Sequence, residues 1–302
     1  MIYVLGSLNM DLTFNLSRMP KGGETLAADS FGTFCGGKGA NQAVALAKLS
    51  SKVKMIGGIG SDGYGKRLKE NLIANGVNAE FVRENGPDSG LAAILVDKKG
   101  QNRIILHGGA NMRVNKSDVD EGLSNAGQGD ILLAQLEVPL DVVEYAFEEA
   151  KKKGMTTVLN PAPAVPLSRA LFASTDIITP NETETEILTG VNPKDVVHVA
   201  LAVKSFYEKG VKNVIITLGS RGAAVSHGQN ITEIEPRKVK VVDTTAAGDT
   251  FVGAVCNRLS SGFDIIEACK FANCASSITI QRKGASDSIP TIEEVLRTLA
   301  ES

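Results

Sequence analysis

The chain contains no tryptophan, only three histidines, and aromatic residues at 5% of its 302 positions. None of His107, His198 and His227 falls in a serine, cysteine or zinc constellation, so hydrolase readings find no support. Cysteine is scarce as well. Cys35, Cys256, Cys269 and Cys274 form no C-x-x-C pair and read as small apolar residues in a reducing compartment. No apolar run approaches the ~20 residues a spanning helix needs, and the opening MIYVLGSLNMD lacks a charged segment leading into a long apolar one. A cytoplasmic protein without a membrane partner is expected. Neither sign of charge dominates: the net charge is −2, with no basic tract to suggest nucleic acid. The run Lys151-Lys152-Lys153 reads as the solvated last turn of a helix.

The remainder is rich in patterned apolar sequence, 43% hydrophobic, enough for one large domain or two unequal ones. Nearly continuous apolar runs at Tyr3–Gly6, Val53–Gly57, Ile131–Ala134, Thr156–Leu159, Ile177–Thr179 and Val214–Thr217 predict buried parallel strands. Helical patterns at about 38–50, 63–75, 139–153 and 193–209 lie between them. Alternation of this kind predicts an α/β sandwich. Two excursions break the rhythm. Asp11–Leu16 alternates polar and apolar residues, and Gly90–Asp97 with Arg103–His107 reads as a hairpin. Together they predict a small antiparallel sheet able to cover a cleft as a lid.

Several loops can carry chemistry. Gly60–Arg67, GSDGYGKR, lacks only the final Ser or Thr of a phosphate-binding P-loop, but Arg67 cannot ligate a cation. Gly58, Gly60 and Gly63 also match a dinucleotide fingerprint, with Glu80 or Glu84 as the later acid. A structural strand-to-helix turn is the preferred reading of both. Phe34–Gln42 opens a helix with Lys38 and Asn41 at its mouth. Val242–Thr250 is the most informative stretch: Ala246, Ala247 and Gly248 leave bare N–H groups before a buried helix at Phe251–Leu259, an arrangement suited to an anion. Asp249, in the first turn, is favoured as a carboxylate able to accept a proton. Asn181 and Glu184, three apart at a helix start, can order Mg²⁺-bound water or simply form a capping box. Thr217–Gly222 can line a nucleotide or make a plain hairpin turn.

GSLNMD at 6–11, GGKGANQA at 36–43, PNETE at 180–184, TLGSRG at 217–222, DTTAAGDT at 243–250 and RKGA at 282–285 resemble, in order and spacing, the ribokinase-like carbohydrate kinases. The resemblance runs from the first strand to about Pro290, and the DTTAAGD block is specific to that family. It implies a three-layer βαβ sandwich with a central, mostly parallel sheet and a β-sheet lid. On this reading residues 1–10, 37–87 and 111–302 form the body, and 11–36 with 88–110 form the lid and the homodimer interface. The implied activity is ATP-dependent phosphorylation of D-ribose at its 5-hydroxyl. Asp249 looks like the base, and Ala246, Ala247 and Gly248 look like the anion hole. Asn9, Asp11, Gly37, Lys38, Asn41 and Glu137, with Asp249, look like sugar contacts. Asn181, Thr217, Gly219, Ser220, Gly222, Gly248 and Asn273 look like ATP contacts. Asn273 departs from a relative that has His beside the adenine, so nucleobase preference stays open. Asn181 and Glu184 match the element associated with Mg²⁺ through water. Asp243, Thr245, Thr279, Arg282, Gly284 and Ser288 match positions around an activating K⁺, mostly through backbone carbonyls.

Three rivals remain: a kinase of the same fold acting on 2-deoxyribose, another sugar or a nucleoside; a NAD-dependent oxidoreductase built on the glycines at 58–63; and a catalytically silent sugar-binding regulator.

Overall fold

The computed structural model describes residues 1–228 and 230–301. In chain order the first strands are β1 (Ile2–Leu5), β2 (Asn9–Leu16), β3 (Ser30–Gly36), β4 (Val53–Gly60), β5 (Asn78–Gly86), β6 (Gly90–Asp97) and β7 (Asn102–His107). They are followed by β8 (Ile131–Ala134), β9 (Thr156–Leu159), β10 (Ile177–Ile178), β11 (Asn213–Thr217), β12 (Ala223–His227) and β13 (Asn230–Ile234). The helices are α1 (Lys38–Lys48), α2 (Gly63–Ala74), α3 (Lys116–Gly122), α4 (Leu140–Lys152) and α5 (Arg169–Ala173). Then come α6 (Glu182–Thr189), α7 (Val196–Glu208), α8 (Ala247–Ser260), α9 (Ile265–Thr279) and α10 (Ile292–Ala300).

The body is a 9-stranded sheet in the order β13-β12-β11-β10-β9-β8-β1-β4-β5. Every pairing from β5 to β11 is parallel, and β12 and β13 close one edge as an antiparallel pair. Alternate residues of β1 face opposite ways. Ile2 and Val4 pack with Val44, Val255 and Cys269 on one side, and Tyr3 and Leu5 pack with Phe147 and Phe206 on the other. Both faces are therefore covered by helices, which is why the body strands are apolar throughout. The chain leaves β1 toward β4 on one side and toward β8 on the other. The crevice at the start of α8 lies at the carboxyl ends of β9, β10 and β11, where Asn160, Thr179 and Thr217 line it, the side on which open α/β sheets bind their ligands.

A second, 4-stranded sheet in the order β3-β2-β6-β7 is made by the two excursions. Its outer pairs are antiparallel as expected, but its central pair, β2 with β6, is parallel. The two strands come from separate excursions and enter the sheet in the same direction. Strand β5 was not anticipated. It is a sheet edge with the charged sequence NAEFVRENG, so it lacks the apolar run that marks the other body strands. Lys151 also departs from expectation: its ammonium pairs with Asp176 at 2.7 Å rather than standing free in water, and Lys212 joins the same carboxylate at 2.7 Å. Three cysteines are buried, whereas Cys35, on β3, is half-buried. Among the described residues no helix is long and apolar enough to cross a membrane.

Candidate active site

Helix α8 begins at the crevice. Its N-cap, Ala246, has a left-handed backbone (φ 58°), costing about 1 kcal/mol for a residue with a Cβ. The Ala247 N–H bonds the Thr244 carbonyl at 3.2 Å, while Gly248 is exposed and a side chain there would meet open space. Asp249 follows, buried, with each carboxylate oxygen held by one amide: Oδ2 accepts from Asn41 Nδ2 and Oδ1 from Gln42 Nε2, both at 3.0 Å.

The small cavity in front of Asp249, roughly 200 Å³, is lined by Lys38, Asn160, Glu184 and the Ala246–Asp249 turn. Lys38 is half-buried. Burial disfavours its ammonium, but Asp249, Glu137 and Glu184 outweigh that and raise its pKa. Glu137, just beyond β8, accepts from Ser7 Oγ at 2.6 Å and Asn9 Nδ2 at 3.1 Å. Asn9 Oδ1 in turn accepts from Asn111 Nδ2 at 2.7 Å, and Asn111 is clamped to the Leu8 backbone through both ends of its amide. Burial, reinforced by the Glu137 and Asp249 carboxylates, pushes the Asp11 carboxyl up to about 7. Close approach explains the glycines around it. A Cβ on Gly36 would lie 2.3 Å from Asp11 Oδ2, and one on Gly37, at φ 92°, 2.6 Å from the Asn9 nitrogen.

On the other side of the α8 N-terminus lies a larger cavity of roughly 1140 Å³. Asn181, Thr217, Gly219, Ser220, Gly222, Gly248 and Asn273 all line it, together with the segment 236–241, which sequence patterning missed. Gly222 sits where a Cβ would reach to 2.0 Å from the Ile234 carbonyl. Asn273 donates to the Glu235 carbonyl at 2.6 Å, so its amide is partly spent on shaping the wall. Ala247 and Gly248 border both cavities. A group transferred between them would pass the exposed Gly248 at the first turn of α8.

Asn181 and Glu184 form the full capping box, Glu184 N–H to Asn181 Oδ1 at 2.8 Å and Asn181 N–H to Glu184 Oε2 at 2.9 Å. One Glu184 oxygen stays available at the cavity. No group of three or more metal-ligating side chains occurs among the described residues, so the donor set fits a hydrated cation arriving with a nucleotide better than a resident one. The loops at 243–245 and 279–288 lie together. Asp243 Oδ1 accepts from Thr245 N and Oγ1 at 2.9 and 2.6 Å, and Oδ2 from Gly284 N at 3.1 Å. Arg282 turns its guanidinium to Glu294, and Ser288 donates to the Ala285 carbonyl at 2.7 Å. With both Asp243 oxygens engaged, a monovalent ion there would depend on backbone carbonyls.

GSDGYGKR lies outside both cavities. Its backbone is consumed internally: Asp62 caps Gly65 at 2.7 Å and accepts from Ser89, while Ser61 N–H bonds the Gly86 carbonyl. Gly60 and Gly65 are glycines because neighbouring backbone lies 2.4 and 2.0 Å from where their Cβ atoms would be. Sequence reasoning missed Ser7, Gln42, Asn111 and Asn160. The one signal for Ser7, Gln42 and Asn160 was a polar residue just past a strand or within an alanine-rich helix face, whereas Asn111 lies in a short 3-10 turn, Gly109–Arg113, with no such signal.

A family model described as pfkB family carbohydrate kinase matches residues 1–292. The chain is 43% identical over 297 residues to a ribokinase from Haemophilus influenzae, covering 98% of this chain and 97% of that one. It is 38% identical over 296 residues to a deoxyribokinase from Salmonella typhimurium, covering 97% and 96%. It spans 56% of the length of a bifunctional ribokinase/ribose-5-phosphate isomerase A from Fructilactobacillus sanfranciscensis. Among solved structures, Arabidopsis thaliana ribokinase complexed with ribose and ATP matches with a TM-score of 0.92 at 36% identity, covering 100% of this chain and 99% of that one.

Proposed function

The chain belongs to the pfkB family of carbohydrate kinases, and from that premise we propose that it transfers the γ-phosphoryl group of ATP to the 5-hydroxyl of D-ribose, yielding D-ribose 5-phosphate and ADP. The observation that carries this reading is the position of Asp249. It lies at the start of α8, where the two cavities meet, with its carboxylate fixed by two amides and its helix N-terminus open.

Asp249 takes the proton from the sugar hydroxyl as the O–P bond forms. The N–H groups around Ala246, Ala247 and Gly248 meet the negative charge on the transferring group. Positioning supplies most of the remaining acceleration. Asp11, Glu137, Asn9, Asn41, Lys38 and the Gly37 backbone hold the sugar. The buried Asn41 Oδ1 has no partner among the described residues and is left as an acceptor for a hydroxyl. Such acceptors reject an analogue lacking a hydroxyl, because the unpaired buried group is costly. The larger cavity takes ATP along Asn181, Thr217–Gly222, Gly248 and Asn273. Glu184 and Asn181 would hold water on a Mg²⁺ arriving with ATP, which would screen the phosphate charge. K⁺ would be held among the carbonyls of 243–245 and 279–288.

The second sheet serves as lid and as homodimer face, over 11–36 and 88–110. The apolar Ile104, Ile105 and Leu106 on β7 and Phe31 on β3 are exposed on the single chain, which supports pairing. Four unpaired cysteines accord with a reducing, cytoplasmic setting.

The test is ADP release from ATP and Mg²⁺ in potassium buffer, with D-ribose, 2-deoxyribose, fructose and adenosine side by side. Release with D-ribose, lost by roughly 10²-fold or more in Asp249→Asn, is expected. Preference for 2-deoxyribose would move the substrate to that of the Salmonella relative. Activity surviving in Asp249→Asn would remove the base.

A further inference from the structure

Behind Asp249 runs a chain of buried amides whose centre, Gln42 and Gln135, lines neither cavity. Gln42 Nε2 donates to Asp249 Oδ1 at 3.0 Å and to Asn160 Oδ1 at 2.9 Å. Gln42 Oε1 accepts from Gln135 Nε2 at 2.6 Å, and Asn160 Nδ2 donates to the Thr179 carbonyl at 2.9 Å. Gln42 and Gln135 are fully buried. They come from α1 and the end of β8, while Asn160 and Thr179 follow β9 and β10.

Chemistry fixes the direction of every amide in this chain. An ionised carboxylate only accepts, so the nitrogen of Gln42 must face Asp249. Its oxygen must then face Gln135, which is obliged to present its own nitrogen. At the far end a carbonyl also only accepts, so Asn160 presents nitrogen to Thr179 and oxygen to Gln42. Both N–H groups of Gln42 are used, and turning its amide over would set oxygen against two acceptors at once. The arrangement leaves Gln135 Oε1 buried without a partner among the described residues, over Gly6, where a Cβ would come within 2.0 Å of it. A buried acceptor left unpaired is unfavourable by about 1–3 kcal/mol. That cost is tolerated in the one geometry that keeps the Gln42 amide turned toward the base.

We infer that Gln42 is a positioning residue for phosphoryl transfer: locked between Gln135 and Asn160, it holds the Asp249 carboxylate in the rotation that receives the sugar proton. This rests on the reading of Asp249 as the base. Asn41 alone would restrain Oδ2 but leave the carboxylate free to turn about its own axis. Gln135 acts one step further back, by preventing the Gln42 amide from reversing.

Steady-state kinetics of Gln42→Met, Gln135→Met and the double variant, with D-ribose and ATP, test the inference. Gln42→Met is expected to lower kcat by about tenfold or more, while KM for both substrates stays within about threefold. Gln135→Met should lower kcat by less, and the double variant should be no worse than Gln42→Met, because the outer amide acts only through the inner one. A kcat within twofold of the parent in Gln42→Met overturns the inference, as do losses that multiply in the double variant. If Gln42→Met does not fold, Gln135→Met decides: a fall in kcat at unchanged KM supports the role, and an unchanged kcat removes it. Asp249→Asn separates the two levels of argument. Turnover retained there removes the base itself, whereas an inactive Asp249→Asn beside an unimpaired Gln42→Met removes only the positioning role.

Discussion

Replacing Asp11 by Asn keeps the shape of the side chain and removes its ionisation, and the burial of Asp11 in the proposed sugar site gives that change a calculable effect on stability. Burial and the neighbouring Glu137 and Asp249 carboxylates raise the Asp11 carboxyl from 3.8 to about 7 in the folded protein. Below the unfolded value both states are protonated and nothing is lost. Between about pH 4 and 7 the unfolded chain releases this proton while the folded chain keeps it. The folded state therefore loses about 1.4 kcal/mol for each pH unit. Above about 7 the loss is complete, at most about 4 kcal/mol. Asn carries no such proton, so Asp11→Asn should match the parent near pH 4 and become progressively the more stable as pH rises. Urea unfolding of both proteins between pH 5 and 8 should show the gap widening by roughly 3 kcal/mol. Saturating D-ribose should narrow it, since hydroxyls donating to Asp11 favour the charged form, while the variant should bind the sugar more weakly. Two stability curves that run parallel across this range would refute the reasoning, because the carboxylate would then be as well solvated in the pocket as in water.

Lys66→Ala should leave turnover nearly intact, since Lys66 is exposed and its ammonium lies 3.9 Å from Glu70; steady-state assay with a circular-dichroism control for folding checks this. Exchange of KCl for NaCl should lower both turnover and melting temperature, and identical melting in the two salts would remove the ion from the 243–245 and 279–288 loops. Ile105→Glu, on a strand whose residues are all exposed, should shift sedimentation from dimer to monomer, and an unchanged dimer would move the interface off the second sheet.

The apolar strands of the body were readable because burial on both faces leaves no room for polar residues. The same logic explains what was not readable. Strand β5 lies at an edge with water on one side, so its residues need not be apolar. The parallel pairing of β2 with β6 depends on how two distant excursions are oriented, and no local pattern carries that information. Asp249 and the Ala246–Gly248 turn were legible because small residues before a buried helix are unusual. Gln42 was not. One glutamine among alanines on α1 acquires its meaning only when β8, β9 and α8 bring Gln135, Asn160 and Asp249 around it. Asn181 and Glu184 show the remaining ambiguity: the letters of a capping box and of a water-mediated cation site coincide, and here the capping bonds form while one oxygen remains over.

Asn9 and Asp11 stand on the first residues of β2, the point at which the chain leaves the body for the second sheet, and Gly36 and Gly37 stand where it returns. A second sheet that swings about these points, as the proposed lid would, carries the proposed sugar acceptors with it. The pocket then has no complete binding surface in any open state, and the measured affinity for the sugar becomes the intrinsic affinity scaled by the fraction of molecules already shut. A substitution far out on β7 that only shifts that fraction would register as a change in sugar affinity, without touching a single atom of the pocket.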